Sequence, residues 1–167
     1  AATGCSCSWR IQLRARRGKR PAPERDGKVL ADWNGMAIAA LARAGWVFDR
    51  ADWVVAARDA YRFVLLEMTA GERLFHSWCA GKTGAIGLLD DYAQMARAAL
   101  AIHEITGEAA FLDHALTWAQ SAITHHWDEE AGGFFQAPSD AGDLPVRAKP
   151  YHDNATPSGN GSMAEVL

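Results

Sequence analysis

His76 and Trp78 are the two residues of this sequence whose types and spacing most directly indicate chemistry. They flank Ser77 in a segment, 74–78, that has the composition of a short strand ahead of a glycine turn. Alternate residues of a strand lie on one face, so the imidazole and the indole are expected to point the same way. An imidazole transfers protons near neutral pH, and an indole can cover the apolar face of a sugar ring. The pair predicts either a carbohydrate site or a hydrogen-bonded histidine under a packed tryptophan.

Asp90 and Asp91 are adjacent carboxylates that look like an acid/base pair. Successive residues of a helix point about 100° apart, so the two side chains cannot both face one substrate. We interpret Asp91 as the N-cap of a helix, which leaves Asp90 just outside that helix. Asp90 is then either a general acid or base or a solvated loop carboxylate. The candidate catalytic residues are therefore His76 and Asp90.

A polar segment leads into the last part of the chain, at 151–154 and 157–162. Its glycines allow the backbone to approach a ligand, and the free N–H groups of a helix start favour anions or hydroxyls. It lacks the Gly-Lys-Ser/Thr ending of a Walker loop, and a flexible helix lead-in is the alternative. With three residues from earlier in the chain, the predicted substrate-binding set is Trp33, Asn34, Trp78, His152, Asp153 and Asn160.

The histidines and cysteines show no metal-binding pattern. No histidine pair has the i, i+4 spacing with a glutamate that a zinc protease uses, and one Cys-x-Cys without a second cluster is a weak signal. We predict no metal, no cofactor, and reduced thiols in a cytoplasmic protein. The residues considered are His103, His114, His125, His126, Cys5, Cys7 and Cys79.

The chain has 167 residues, which corresponds to about one domain, and 49% of them are hydrophobic. No run of 18 apolar residues and no secretory signal occur, so we predict a soluble protein without a membrane partner. Residues 1–23 carry six basic and no acidic residues, whereas the remainder carries 11 basic and 20 acidic. The basic end is either a solvated segment or a nucleic-acid or transit-like tail. The acidic body argues against nucleic acid as a partner.

An internal repeat must position these residues, because the segment 32–42 returns 59 residues later as 91–101 with its Asp, aromatic, Met and Leu in place. Residue types that both copies keep are interpreted as parts of the hairpin. Asp32 and Asp91 are accordingly expected to be helix caps. Asn34 and His76 are not kept in the second copy, which leaves them freer to serve a site.

Apolar residues at steps of three and four predict four helices and the start of a fifth. Their predicted bounds are 32–48, 51–68, 88–105, 108–126 and 158–167, with short strands at 74–78 and 134–135. Residues 1–27 are expected to be an irregular basic lead-in. The rest, 28–167, is expected to be one incomplete domain with units of about 32–90, 91–152 and 153–167, and with an exposed apolar flank.

Five motifs in this order resemble one known family. They are Lys28–Gly35, His76–Trp78, Leu89–Ala93, Gly132–Phe135 and Pro157–Asn160. The set is similar to the C-terminal region of thioredoxin-domain-containing proteins related to spermatogenesis-associated protein 20, over residues 16–167. Cys5–Trp9 match nothing in that family, so we expect the first dozen residues to be foreign to it.

The resemblance implies an all-α fold that forms part of an (α/α)6 toroid, as in sugar 2-epimerases and glycoside hydrolases, with short strands in its loops. It implies a small carbohydrate ligand and acid/base chemistry of the epimerase or glycosidase type. No activity is established for the family, so whether the chain is an enzyme stays open. The alternative is a non-catalytic helical scaffold for a thioredoxin-like redox domain. We expect that domain in the full-length chain and outside this sequence, which has no Cys-x-x-Cys.

Overall fold

A computed structural model of the protein describes residues 4–142 and 144–167, with side chains from residue 8 onward. Over these residues the chain is mostly helical, with six helices and five short strands. The helices are α1 (Gly4–Arg17), α2 (Ala31–Val47), α3 (Ala51–Glu67), α4 (Leu89–Thr106), α5 (Ala109–His126) and α6 (Gly159–Val166). The strands are β1 (Val29–Leu30), β2 (Thr69–Ala70), β3 (Arg73–Leu74), β4 (Ser77–Cys79) and β5 (Lys82–Thr83).

Helix α4 is the centre of the packing. It contacts α2, α5 and α6, while α3 packs on α2 to complete the first hairpin. Eleven of its residues are buried, and five of these are alanines. Small side chains let helix backbones approach closely, and the α2–α4 contact depends on this. A Cβ built on Gly35 of α2 would lie 2.7 Å from the backbone of Gln94 in α4.

The predicted helices from residue 32 onward agree with the structure to within one or two residues at each end. Helix α4 ends at Thr106, and the next residue, Gly107, has a φ of 71°, the left-handed conformation common after a helix. Helix α6 begins after Ser158, whose hydroxyl accepts a hydrogen bond from the Gly161 N–H. The regular apolar spacing of these segments is what makes their positions predictable.

Helix α1 contradicts the irregular lead-in expected at residues 1–27. Residues 8–28 are exposed throughout, so no buried apolar face produces this helix. Its last eight residues are mostly Arg, Gln, Leu and Ala, which favour a helix by intrinsic propensity. Cys5 and Cys7 lie in α1, but their side chains, like residues 1–3, lie outside the described part. The foreign origin of the first dozen residues therefore stays a prediction.

The predicted strands are shorter in the structure. The segment 74–78 is divided between β3 and β4, with Phe75 and His76 between them. Antiparallel β1, β4 and β5 form one sheet, in which Val29 lies opposite Trp78. The predicted strand at 134–135 is a single bridge from Phe134 to Trp127. In both places the backbone turns after two or three residues because the loop must return to a helix start.

An apolar stripe on α2 is exposed, as the sequence predicts for one flank. Trp33 is 59% exposed and Val47 70%, and the exposed Ala37 and Ala40 lie between them on the same face.

Among the described helices, none is both long enough and apolar enough to cross a lipid bilayer.

Candidate active site

His76 and Asp91 form the centre of a hydrogen-bonded cluster at the N-terminal end of α4. The Nδ1 atom of His76 lies 3.0 and 3.1 Å from the two carboxylate oxygens of Asp91. Asp91 is fully buried, whereas 31% of the His76 side chain is exposed. An ionised carboxylate only accepts hydrogen bonds, so Nδ1 is the donor of this pair. Among the described residues, none bonds to Nε2, which leaves that atom available for a ligand.

Asp91 also joins the starts of two helices. Its Oδ1 accepts the backbone N–H of Asp32 at 3.0 Å, and its Oδ2 accepts that of Leu88 at 2.8 Å. Leu88 is the N-cap of α4 and Asp91 is the third helical residue, so the prediction of Asp91 as N-cap is wrong. Asp91 instead accepts from the cap residue's own N–H, as the acid of a capping box does.

Asp32 lies in the first turn of α2 and is 9% exposed. The N-cap of this helix is Leu30, so the prediction of Asp32 as a cap is also wrong. The helix begins earlier because the Ala31 N–H already donates to the carbonyl of His76 at 3.0 Å. The Asp32 Oδ1 accepts the Trp33 N–H at 2.8 Å. Asp32 thus lies beside the His76–Asp91 pair.

Asp32, His76 and Asp91 each offer one atom within 4.8 Å of the others, the spacing of a metal site. The contacts of Asp91 nevertheless fit a hydrogen-bonded triad better. Both of its oxygens already accept a backbone N–H, and Nδ1 of His76 points at the same carboxylate. A cation would have to replace the His76–Asp91 hydrogen bond. We therefore describe the three residues as an acid/base cluster.

The charges of the cluster raise the pKa values of His76 and Asp32. The hydrogen bond from His76 to Asp91 raises the pKa of the imidazole above its usual range, and the charges of Asp32 and Asp90 add to this against the effect of burial. Burial, and then the nearby charge of Asp91, raise the pKa of the Asp32 carboxyl. His76 and Asp32 therefore both keep a proton to higher pH than the free side chains.

Asp90 is the second residue of α4, so the prediction that it lies just outside the helix is wrong. Its Oδ2 accepts a hydrogen bond from Gln136 at 3.2 Å, and its carboxylate lies against Gly159 at the start of α6, where a Cβ built on Gly159 would be 2.5 Å from Oδ1. Asp90 and Asp91 thus have different partners, as their helical spacing requires. Burial raises the pKa of Asp90. Its catalytic role stays a prediction.

The aromatic candidates differ in exposure. Trp78 is partly buried, with its ring edge-on to Phe63 at a centroid distance of 5.2 Å. This contact favours the packing interpretation of Trp78. Trp33 directly follows Asp32 in α2 and is mostly exposed. Its role in binding a ligand stays a prediction. The Asn34 amide donates to the Leu30 carbonyl at 2.8 Å and thereby stabilises the start of α2.

The candidates near α6 mostly bind the backbone around them. Asn160 accepts from the Phe134 N–H at 2.8 Å and donates to the carbonyls of Phe134 and Pro150. Asp153 accepts the Ser158 N–H at 2.9 Å, and His152 is exposed. Within the described residues, no hydrogen bond connects these three candidates to His76. Their role in binding a substrate stays a prediction.

Sequence reasoning missed Asp32 and Asp91 as site residues because both copies of the repeat keep them. We assigned kept residues to the hairpin, and the structure shows that Asp91 has that role and also binds His76. The sequence holds one signal, since His76 precedes the acidic first turn of α4 by fifteen residues, across β4 and β5. This spacing does not distinguish Asp91 from Asp90.

The fold and the cluster define a class: repeated helical hairpins whose inner helices begin beside a histidine–carboxylate pair. Solved structures of six-hairpin toroid proteins are similar. Cellobiose 2-epimerase from Spirochaeta thermophila matches with a TM-score of 0.66 over 99% of this chain and 49% of that chain, at 16% identity. An alpha-amylase from Clostridium perfringens matches with a TM-score of 0.57 over 70% and 32%, at 12% identity. These likenesses show the fold alone.

The relatives found by sequence similarity indicate a particular family, whereas the solved structures show only the fold. Spermatogenesis-associated protein 20 from Homo sapiens is 32% identical over 162 residues, which cover 90% of this chain. The proteins of the same name from Rattus norvegicus and Mus musculus are 32% and 31% identical over 163 residues. The resemblance indicated by the five motifs is therefore confirmed. The chain spans about one-fifth of the length of these relatives. No family model matches the chain.

Proposed function

We propose that this chain supplies the proton-transferring part of a sugar-binding site, with His76 as the general acid and base. The observation that carries the proposal is the hydrogen bond from His76 Nδ1 to the fully buried Asp91. A buried carboxylate in this position holds an imidazole in one tautomer and stabilises its protonated form. Nε2 is then the atom that meets the substrate.

Proton transfer next to a sugar carbonyl fits this cluster better than hydrolysis of a glycosidic bond. Hydrolysis typically uses two carboxylates about 5 to 9.5 Å apart, one of which attacks the sugar or activates water. Asp91 is unsuited to that role because it is buried and both of its oxygens are hydrogen-bonded. Asp90 is held by Gln136 and by the start of α6. The likeness to a cellobiose 2-epimerase along nearly the whole chain also favours proton transfer.

The remaining candidates receive supporting roles in this proposal. Trp33 is exposed in the same first turn of α2 that holds Asp32, and it would cover the sugar ring. Asp90 would act by positioning, since its carboxylate connects α4 to α6. Asn160 would likewise hold the loop at Phe134 through its three hydrogen bonds. His152 and Asp153 would contact the ligand from the loop before α6.

Deuterium exchange tests the proposal on the full-length protein. Reducing sugars, including cellobiose and glucose, are incubated with the protein in D2O, and loss of the proton signal at C2 is followed by NMR. We expect exchange with at least one sugar, and at least a 100-fold loss in His76→Gln, the usual range for a general base being about 100- to 10,000-fold. Asp52→Asn is the control, because Asp52 is an exposed acid in the first turn of α3.

Two results would contradict the proposal: no exchange with any sugar, or full exchange in His76→Gln. Exchange should also survive EDTA, because the His76–Asp91 hydrogen bond takes the place that a cation would need. If exchange is absent and the full-length protein instead captures thiol-dependent clients equally well with His76→Gln, the scaffold interpretation replaces this one.

A further inference from the structure

We propose that Asp32 and His76 form a proton-sharing pair in which Asp32 is the second proton carrier of the site. The catalytic use of the pair rests on the function proposed above, but the pairing can be tested without a substrate. The carrying observation is spatial: one carboxylate oxygen of Asp32, one ring nitrogen of His76 and one oxygen of Asp91 lie within 4.8 Å of one another.

The start of α2 is fixed against both partners. The Asp32 N–H donates to Asp91 at 3.0 Å, and the Ala31 N–H donates to the His76 carbonyl at 3.0 Å. The Asp32 side chain is fixed as well, since its Oδ1 accepts the Trp33 N–H. Among the described residues, none donates a hydrogen bond to Oδ2. The pair therefore consists of a rigidly held acid with one oxygen available and a neighbouring imidazole.

The charges around the pair make its two protonations depend on each other. Asp91 and His76 act on Asp32, and Asp91, Asp32 and Asp90 act on His76. Three carboxylates thus surround one imidazole, and burial disfavours full ionisation of Asp32. Groups that interact this closely titrate as a unit, so removal of the Asp32 charge must change the protonation of His76.

The pair can perform both halves of a proton transfer next to a carbonyl. Neutral His76 takes the proton from the carbon beside the carbonyl, and the electron pair of that C–H bond forms the carbon–carbon double bond. The reacting form of the pair is the one in which Asp32 holds the shared proton and His76 is neutral. As the carbon–carbon double bond forms, the carbonyl oxygen takes that proton from the Asp32 carboxyl, which gives an enediol. In the reverse step His76 returns its proton to carbon and Asp32 recovers its own from the hydroxyl. The protons and electrons balance without an oxidant or reductant.

Diethyl pyrocarbonate tests the pairing on the full-length protein, because it modifies an imidazole only in its neutral form. The modification rate of His76 is measured by peptide mass spectrometry between pH 5.5 and 8. Asp32→Asn removes a negative charge about 5 Å away, so we expect modification at pH 6 to be about threefold faster or more. Asp52→Asn is the matched control and should leave the rate unchanged, since Asp52 is exposed and paired with Arg50. Superimposable profiles for Asp32→Asn and the wild type overturn the pairing.

A second measurement, deuterium exchange in the Asp32→Asn variant, separates this inference from the proposed function. Asp32→Asn should reduce deuterium exchange at C2 at least tenfold while the melting temperature does not fall. If Asp32→Asn shifts the modification profile of His76 but leaves deuterium exchange undiminished, the effect of Asp32 is electrostatic only. That result overturns the role of Asp32 as a proton carrier. Full exchange in His76→Gln overturns the proposed function instead, and the modification profile of Asp32→Asn then decides the pairing by itself.

Discussion

Asp91 accepts the backbone N–H of Asp32 at 3.0 Å, although the two residues occupy the same place in successive repeats, 59 residues apart. One repeat is thus joined to the next through its own equivalent residue. The contact lies at the helix starts, where backbone N–H groups lack partners within the helix. Because His76 bonds to the same carboxylate, the packing of α2 on α4 also decides where the imidazole lies.

Asp91→Ala should destabilise the fold by about 3 kcal/mol, because it removes three hydrogen bonds and leaves two backbone N–H groups without an acceptor. Asp91→Asn keeps one acceptor oxygen and should cost about half as much. Urea denaturation followed by circular dichroism measures both. Asp52→Ala serves as control, since that exposed residue lies in the equivalent turn of α3 and its loss should not move the midpoint. Equal stabilities for Asp91→Ala and wild type would contradict the structural role.

Asp32→Asn should stabilise the protein at pH 7 by about 1 kcal/mol, because it removes a buried charge from beside Asp91, and gains of this size are common for stabilising substitutions. Burial and the charge of Asp91 raise the pKa of Asp32 above 3.8 in the folded state. The contribution of this group to stability is therefore complete below pH 3.8 and is lost as pH rises through the raised value. The gain from Asp32→Asn should accordingly disappear below pH 3.8. A gain that is equal at pH 7 and pH 3.5 would refute this explanation.

His126 should make the fold sensitive to acid. Burial lowers its pKa from 6.5 to about 4, and its buried Nε2 has no hydrogen-bond partner among the residues that the structure describes. The unfolded chain takes up a proton near pH 6.5 but the folded chain does not, so stability falls as pH drops from 6.5 towards 4. We expect a loss of about 2 kcal/mol between pH 7 and pH 4.5 in the wild type.

His126→Gln should remove most of that loss. The glutamine amide can still donate to the Phe135 carbonyl, which accepts from His126 Nδ1 at 3.0 Å. Urea denaturation at the two pH values gives the difference directly. His152→Gln is the control, because that histidine is exposed. The same pH dependence in His126→Gln and wild type would show that another group is responsible.

Gly35→Ala should separate α2 from α4. A methyl group there would lie 2.7 Å from the backbone of Gln94, which cannot move without displacing α4. Overpacking of this kind costs about 1 to 3 kcal/mol. The melting temperature measures the effect, and Ala40→Ser on the exposed side of α2 is the control. If Gly35→Ala and the wild type have the same melting temperature, the close approach of the two helices is not required for stability.

Most of the fold could be predicted because α2 to α5 carry regular apolar spacing and the repeat confirms their order. Helix α1 could not be predicted in this way, since it is exposed and depends on the propensity of residues such as Arg14 and Leu13. The apolar spacing predicts the start of α2 at Asp32, one residue late, and the start of α4 at Leu88, one residue early. Such ends depend on contacts from elsewhere, as the bond from Ala31 to His76 shows.

The candidate site could be predicted only in part. His76 was chosen from its residue type and from its absence in the second repeat. Its partner was missed because the sequence contains nothing that distinguishes a carboxylate turned towards a loop from one turned towards its own helix. Asp91 does both, whereas Asp90 turns to Gln136 and α6. One residue along a helix is enough to change the partner.

The double role of Asp91 has a consequence for the comparison of homologues. A lineage that loses the chemistry still needs this carboxylate to hold the hairpins together, so selection for a stable fold alone would preserve it. An aspartate at this position is therefore no marker of activity. The loop at position 76 is held through its backbone, whose carbonyl accepts from Ala31 and whose N–H donates to Ala85, so the fold can tolerate replacement of the imidazole more easily than loss of Asp91. Whether a homologue keeps or replaces His76 should therefore distinguish active homologues from those that retain only the fold.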